Sequence, residues 1–275
     1  MADGKLSGKV VVITGSTRGI GRCMAEACAA AGATVVVSSR TESAVTSTVA
    51  ALRAAGATAS GISCDVSREA DLEALLAHAI AKHGGVDVWV NNAGISLGMR
   101  RHIDTSPGEI RSIVDINLVG TMLASRIVVP HLIARGGGTL VNVSGRGGRG
   151  DTAAYTAAYA ATKAGIMAFT KSLAAEHKTE PVSIVVFMPG MVDTDFYGPD
   201  MQVSPELTDL VSNIRVVLDA IGTPLELVGP ALADAVAMRP GSETGTVRRV
   251  SGGMRQALGG FRLLRARISG RMKPM

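Results

Sequence analysis

The chain has 275 residues, is 47% hydrophobic but only 3% aromatic, and carries 33 glycines; this suits one large α/β domain with a core of Val, Ala, Ile and Leu and many tight turns. Its net charge of +5 sits at the end: after Met254 come six basic side chains (Arg255, Arg262, Arg265, Arg267, Arg271, Lys273) and no acidic one, leaving 22 basic against 23 acidic before them. A near-neutral body with few aromatics argues against a nucleic-acid-binding protein.

Lys9 to Thr14 (KVVVIT) is a β-branched run, as expected of a strand buried on both faces of a parallel sheet. TGSTRGIG follows at 14–21 and opens an Ala-rich helical stretch that ends at Gly32. Strand, glycine turn and helix N-terminus together form an anion site, since backbone N–H groups and the helix dipole converge there. Gly15 would allow the sharp turn, Gly19 the close approach of a pyrophosphate, and Gly21 tight packing of helix on strand; Ser16, Thr17, Arg18 and Ile20 complete the turn. A second strand, Thr34 to Ser38, ends in Ser38-Ser39-Arg40, where a dinucleotide site for NAD usually carries Asp or Glu. A guanidinium there suits a 2′-phosphate, with Arg18 as a second cation, so the pattern favours NADP(H).

The alternation continues with helix 42–55, strand 58–63, Asp65-Val66 at a strand's C-terminal edge, helix 68–83 and strand 86–90. Asn91-Asn92-Ala93-Gly94 closes that strand, and a structural, backbone-capping job is expected for Asn92. A long helix over 106–134 carries Asn117 on an apolar segment, where its amide either bends the helix or holds a water at an active site. Strand 139–143 ends at Ser144-Gly145, and helix 153–177 places Tyr159 and Lys163 four residues apart on one face. A neighbouring cation favours a phenolate, which makes the tyrosine hydroxyl a usable acid or base. Strand 182–187 leads to Pro189-Gly190, with Val192 and Thr194 beyond it. The irregular segment 195–222, with a helix near 205–220, is the natural lid; helix 224–238 and strand 246–251 complete one doubly wound parallel sheet.

Cys23, Cys28 and Cys64 are odd in number and lack metal-ligand spacing, so they read as free thiols of a reducing compartment. No uninterrupted apolar run reaches the ~18 residues of a membrane helix, and residues 1–8 lack a signal-peptide pattern. A cytoplasmic protein is expected. Residues 1–253 form the dinucleotide-binding and catalytic domain, and 254–275 a basic C-terminal extension. Within that extension Phe261, Leu264 and Ile268 fall at helical spacing, predicting a short basic amphipathic helix that docks on protein or on an anionic membrane surface.

Taken together, TGSTRGIG, Asp65-Val66, NNAG, Asn117, YAATK (159–163) and PGMVDT (189–194) resemble, in order, the motifs of the short-chain dehydrogenases/reductases. The resemblance covers about residues 6–253. It implies a Rossmann fold of seven strands, with Tyr159 as general acid/base, Lys163 lowering its pKa and holding the nicotinamide ribose, and Asn117 holding a water in a proton relay. By the same resemblance NADP(H) contacts the turn 15–21, Ser39, Arg40, Asp65, Val66, Asn92, Ala93, Gly94, Pro189, Gly190, Val192 and Thr194, and helices 106–134 and 153–177 pair to give a homodimer or homotetramer. One departure stands out. The family usually places a substrate-binding serine where this chain has Gly145, and Ser144 could serve instead only if the turn is bulged. The run SGRGGRGDTAAYTAAYAATKAG is similar to the chlorophyll b reductase-like branch, which points to a large, flat, apolar carbonyl substrate. A rival from another class is a dinucleotide-binding scaffold or sensor without turnover, motivated by Gly145 and the basic tail.

Overall fold

A computed structural model describes residues 4–194 and 201–250, together with Arg262 and Arg267. Seven strands form one parallel sheet in the order β3-β2-β1-β4-β5-β6-β7. They are β1 (Val10–Thr14), β2 (Thr34–Ser39), β3 (Ala59–Ser63), β4 (Val88–Asn91), β5 (Gly138–Val143), β6 (Val182–Met188) and β7 (Val247–Arg249). Helices connect them: α1 (Gly19–Ala30), α2 (Glu42–Ala54), α3 (Glu69–His83), α4 (Pro107–Val114), α5 (Gly120–Ala134), α6 (Ala157–Glu176), α7 (Thr208–Ile221) and α8 (Leu225–Val236). This is the doubly wound sheet expected from the alternation.

Because successive strand residues face opposite sides, each apolar run serves two cores. Val11, Ile13, Val35, Val37 and Phe187 pack with Met24 of α1, Leu52 of α2 and Leu232 of α8. Their neighbours Val10, Val12, Val36, Trp89 and Ile184 pack on the other face with Leu72 and Leu75 of α3 and Val128 and Leu132 of α5. Each fully buried side chain of this size contributes about 1.5–3 kcal/mol, which makes both faces necessary to the fold. The chain reverses strand order between β1 and β4. Loops there diverge to opposite faces and leave a crevice at the strands' C-terminal ends.

The expected helix over 106–134 is one run in three parts. After α4, residues Asp115–Val119 make a π turn in which the Gly120 N–H reaches the Asp115 carbonyl, and α5 then continues. Pro107–Ala134 is long and apolar enough, by length and composition, to suit a membrane span. Glu109, Arg111, Asp115 and Arg126 interrupt it, so the expectation that no uninterrupted apolar run reaches that length stands. In this fold α5 packs on α3, β4 and β5. The next difference lies at α6, expected from residue 153 but starting at Ala157. Tyr155 adopts φ 64° and its carbonyl accepts the Arg100 N–H at 3.0 Å, so a tertiary contact overrides the helix-forming Ala-Ala-Tyr sequence. Arg262 and Arg267 are helical and exposed; the remaining expectations for the tail, and those for 195–200, lie outside the described residues.

Candidate active site

The crevice encloses about 1360 Å³, more than one small ligand requires. Its floor is the turn after β1. Gly15 and Gly19 adopt φ 64° and 52°, a region that disfavours side chains. A Cβ on Gly21 would lie 2.2 Å from the Gly15 carbonyl oxygen, so helix and strand approach here as closely as backbone allows. A Cβ on Gly19 would meet nothing nearer than Thr194 at 3.8 Å, which leaves open space above the turn. At the start of α1, Arg18 makes no side-chain cap and the first turn has no acidic residue. The first turn thus carries neither a side-chain cap from Arg18 nor a negative charge, and its N–H groups suit a pyrophosphate. Ser16 does not line the crevice: it is fully buried, donating to the Ile13 carbonyl at 2.7 Å and accepting from the Ser38 N–H at 3.1 Å.

At the far end of β2, Ser39 and Arg40 line the crevice with Thr17, Arg18 and Asp65. Arg18 and Arg40 are exposed, and neither makes an ion pair with any of the described residues. Burial pushes the Asp65 carboxyl up, but Ser67 hydrogen bonds and the charges of Arg40 and Arg68 outweigh it and hold Asp65 below its ordinary value. Asn92 spends its amide on the Thr14 and Gly15 carbonyls at 2.9 and 3.1 Å, the structural job expected of it. Val66, Ala93 and Gly94, and Pro189, Gly190, Val192 and Thr194 beyond β6, also face the crevice. Cys64 lies there too, but burial, followed by Asp71 and Asp65, pushes its thiol to about 12, so it is no nucleophile at neutral pH.

The chemical centre is on α6. Tyr159 and Lys163 both line the crevice, with the Lys163 ammonium 5.6 Å from the Tyr159 ring centroid. Lys163 is buried and donates to the Val143 carbonyl at 3.0 Å. Burial lowers its pKa from 10.5 to about 8, so it still carries its proton at neutral pH. Gly145 faces the phenol: a Cβ there would lie 3.0 Å from the Tyr159 hydroxyl. Ser144 turns the other way. It is 2% exposed at the edge of the crevice lining, and its hydroxyl donates to the Lys163 carbonyl at 2.9 Å, tying β5 to α6.

Asn117 lies in the π turn, fully buried and off the crevice wall. Its amide accepts from the Ile95 N–H at 2.8 Å and donates to the Ile95 carbonyl at 3.0 Å and to Thr162 at 3.3 Å. The side chain therefore braces the loop after Gly94 against α6 beside Tyr159. Sequence reasoning missed a second brace. Arg100, 16% exposed, donates to Glu109 at 2.9 Å, to the Leu97 carbonyl at 2.7 Å and to Gln202. Met99 and Val203 form a parallel bridge beside it. Arg100 thus joins the loop after β4 to α4 and to Gln202 of the segment expected to be a lid, where Met201 and Gln202 line the crevice. An isolated arginine in a loop carries no sequence signal for such a task.

Comparison with known proteins agrees with this geometry. The short chain dehydrogenase family profile matches residues 9–202. The ketoacyl reductase HetN of Nostoc sp. is 35% identical over 78% of this chain and 75% of its own length. A probable chlorophyll(ide) b reductase, NYC1 of Oryza sativa, is 35% identical over 67% of this chain but 40% of its own. Among solved structures, 3-ketoacyl-(acyl-carrier-protein) reductase from Brucella melitensis complexed with NADH superposes with a TM-score of 0.77 at 29% identity, covering 90% of this chain and 99% of that one.

Proposed function

The chain belongs to the short-chain dehydrogenase family of oxidoreductases, and from that premise we propose that it is an NADP(H)-dependent enzyme interconverting a carbonyl compound and an alcohol. The observation that carries this reading is the convergence, in one crevice, of an anion-binding glycine turn, the cations Arg18 on that turn and Arg40 at the end of β2, and a phenol beside a buried ammonium. The turn at Gly15–Gly21 and the start of α1 would hold the pyrophosphate, Arg18 and Arg40 the 2′-phosphate, and Lys163 the nicotinamide ribose. When bound, the cofactor supplies or takes up the hydride. In the reducing direction Tyr159 donates its hydroxyl proton to the substrate oxygen as the carbonyl carbon is reduced. Lys163 stabilises the phenolate left behind, and solvent in the crevice restores the proton. Asn117 and Arg100 act as positioning residues that keep the loop after β4 in register with α6.

Gly145 and the likeness to NYC1 favour a bulky planar carbonyl substrate over a compact one, since no side chain crowds the phenol from the β5 side. We read the outward face of α6, with Ala157, Ala161 and Ala168 exposed, as the pairing surface of a homodimer or homotetramer. Light scattering that finds a monomer at micromolar concentration would contradict that pairing.

Cofactor choice tests the assignment. NADPH should be oxidised in preference to NADH with a panel of aromatic aldehydes and ketones. Arg40→Asp should weaken the preference by about tenfold or more, because a charge-assisted contact contributes ~1.5–3 kcal/mol. Equal use of both cofactors by the wild type would overturn the roles of Arg18 and Arg40. Binding of NADPH without turnover of any carbonyl would favour the scaffold reading.

A further inference from the structure

The substrate end of the crevice has an electrostatic asymmetry that the reaction itself does not explain. Arg146 and Arg149 stand on the glycine-rich loop after β5, both exposed and both lining the crevice. Arg146 also lines a small side chamber of about 20 Å³ that ends on Tyr159 and is otherwise walled by Met99, Met201 and neighbouring small residues. Arginines on neighbouring segments are matched, Arg100 by Glu109, Arg101 by Asp104 and Arg215 by Asp193. Arg18 and Arg40, like these two without an ion pair among the described residues, belong instead to the turns after β1 and β2. Glu109 is spent on Arg100 and on capping α4 through Ser106. Neither the Arg146 nor the Arg149 side chain makes a hydrogen bond or ion pair with the described residues, and Asp151 is the one acidic side chain lining the crevice on their loop. The loop thus adds a net single positive charge, on two guanidinium groups, to a mouth whose lining includes apolar Leu97, Met191, Met201 and Ile221 beside polar Ser96, Gln202 and Thr223.

Resting on the reductase reading, we propose that the substrate carries an anionic group, of carboxylate chemistry, which Arg146 and Arg149 bind while the apolar body and the carbonyl lie between them and Tyr159. A guanidinium pairs two N–H groups with two carboxylate oxygens, and its weak hydration lets it do so at a partly apolar wall. Arg146 and Tyr159 line the same small chamber, and Gly145 puts no side chain beside the phenol. The loop therefore sets specificity by charge, and the Met- and Leu-rich wall sets it by shape.

The test uses matched probes, 6-formyl-2-naphthoate and its methyl ester, with NADPH and the full-length chain. KM for the acid should be about tenfold or more below that for the ester at low salt. The ratio should fall towards one as salt rises and in the Arg146→Gln/Arg149→Gln variant. Because the ratio is read within one protein, a general loss of activity in the variant does not mimic the effect. Equal KM values for acid and ester, or a ratio unchanged in the variant, would overturn the anionic substrate and leave the reductase reading standing. If neither probe is reduced, the reductase reading fails for this class. Equilibrium binding of the same pair then decides the anionic substrate: equal affinities overturn it, and a tighter acid, weakened in the variant, supports it.

Discussion

Lys163 connects burial to chemistry. Its ammonium is enclosed between β5 and α6, with the Val143 carbonyl as its hydrogen-bond acceptor, and burial lowers its pKa from 10.5 to about 8. Between those values the unfolded chain keeps a proton that the folded chain has released. Stability of the unliganded protein should therefore rise as pH climbs from about 8 to about 10.5, at up to ~1.4 kcal/mol per pH unit. Below pH 8 both states are protonated and this contribution is flat. Urea unfolding of the wild type and Lys163→Met across pH 7–10 would measure it, and a stability difference independent of pH would contradict the burial argument. The penalty carried at neutral pH is consistent with a lysine kept for function, since a buried cation is a poor stabiliser. Ser144 and Gly145 show where residue-scale reading of the sequence stops. Their order could be read, but which one faces the phenol depends on how β5 leaves the sheet.

Among the elements, the strands and most helices were legible because β-branched runs and glycine turns alternate at the spacing a parallel sheet needs. What was not legible has tertiary causes. Helix α6 begins four residues late because the Tyr155 carbonyl is held by Arg100, and the long helix before β5 contains a π turn that places Asn117 under the loop after β4. Another feature hidden from pattern reasoning is a buried polar chain across β4, β5 and α6. Trp89 donates to Asn91 at 2.8 Å, Asn91 to Asn142 at 2.8 Å, and Asn142 to Thr170 at 3.0 Å. In sequence, Asn142 looks like a polar interruption of an apolar strand. In the fold it ties β5 and α6 together two residues before Ser144. Asn142→Leu keeps the side-chain outline but leaves the Asn91 amide only its long 3.5 Å contacts to Thr121 and Ser125, and should cost about 1–3 kcal/mol. The urea midpoint should fall with the slope unchanged; a change below ~0.5 kcal/mol would mean that the chain of amides adds nothing to stability.

On the scale of the whole molecule, the reversal of strand order between β1 and β4 gathers the functional groups. The glycine turn follows β1, Arg40 follows β2, Asp65 follows β3, Asn92 follows β4, and Tyr159 and Lys163 lie on the helix after β5. All reach one crevice because every strand in a parallel sheet ends on the same edge. Distribution over five connections explains why the site is legible in the sequence as a series of spaced motifs. It also explains why the substrate is not: the mouth is built from loops 95–103, 146–155 and 201–204, whose contacts are tertiary. The central claim is that this edge delivers a proton from Tyr159. It is tested most directly by measuring carbonyl-dependent NADPH oxidation and NADPH affinity in Tyr159→Phe beside Tyr155→Phe, a nearby exposed phenol off the crevice wall. Tyr159→Phe should lower turnover by about 10²–10⁴-fold with NADPH affinity nearly unchanged, while Tyr155→Phe remains active. Turnover surviving in Tyr159→Phe, or lost only in Tyr155→Phe, would contradict the account.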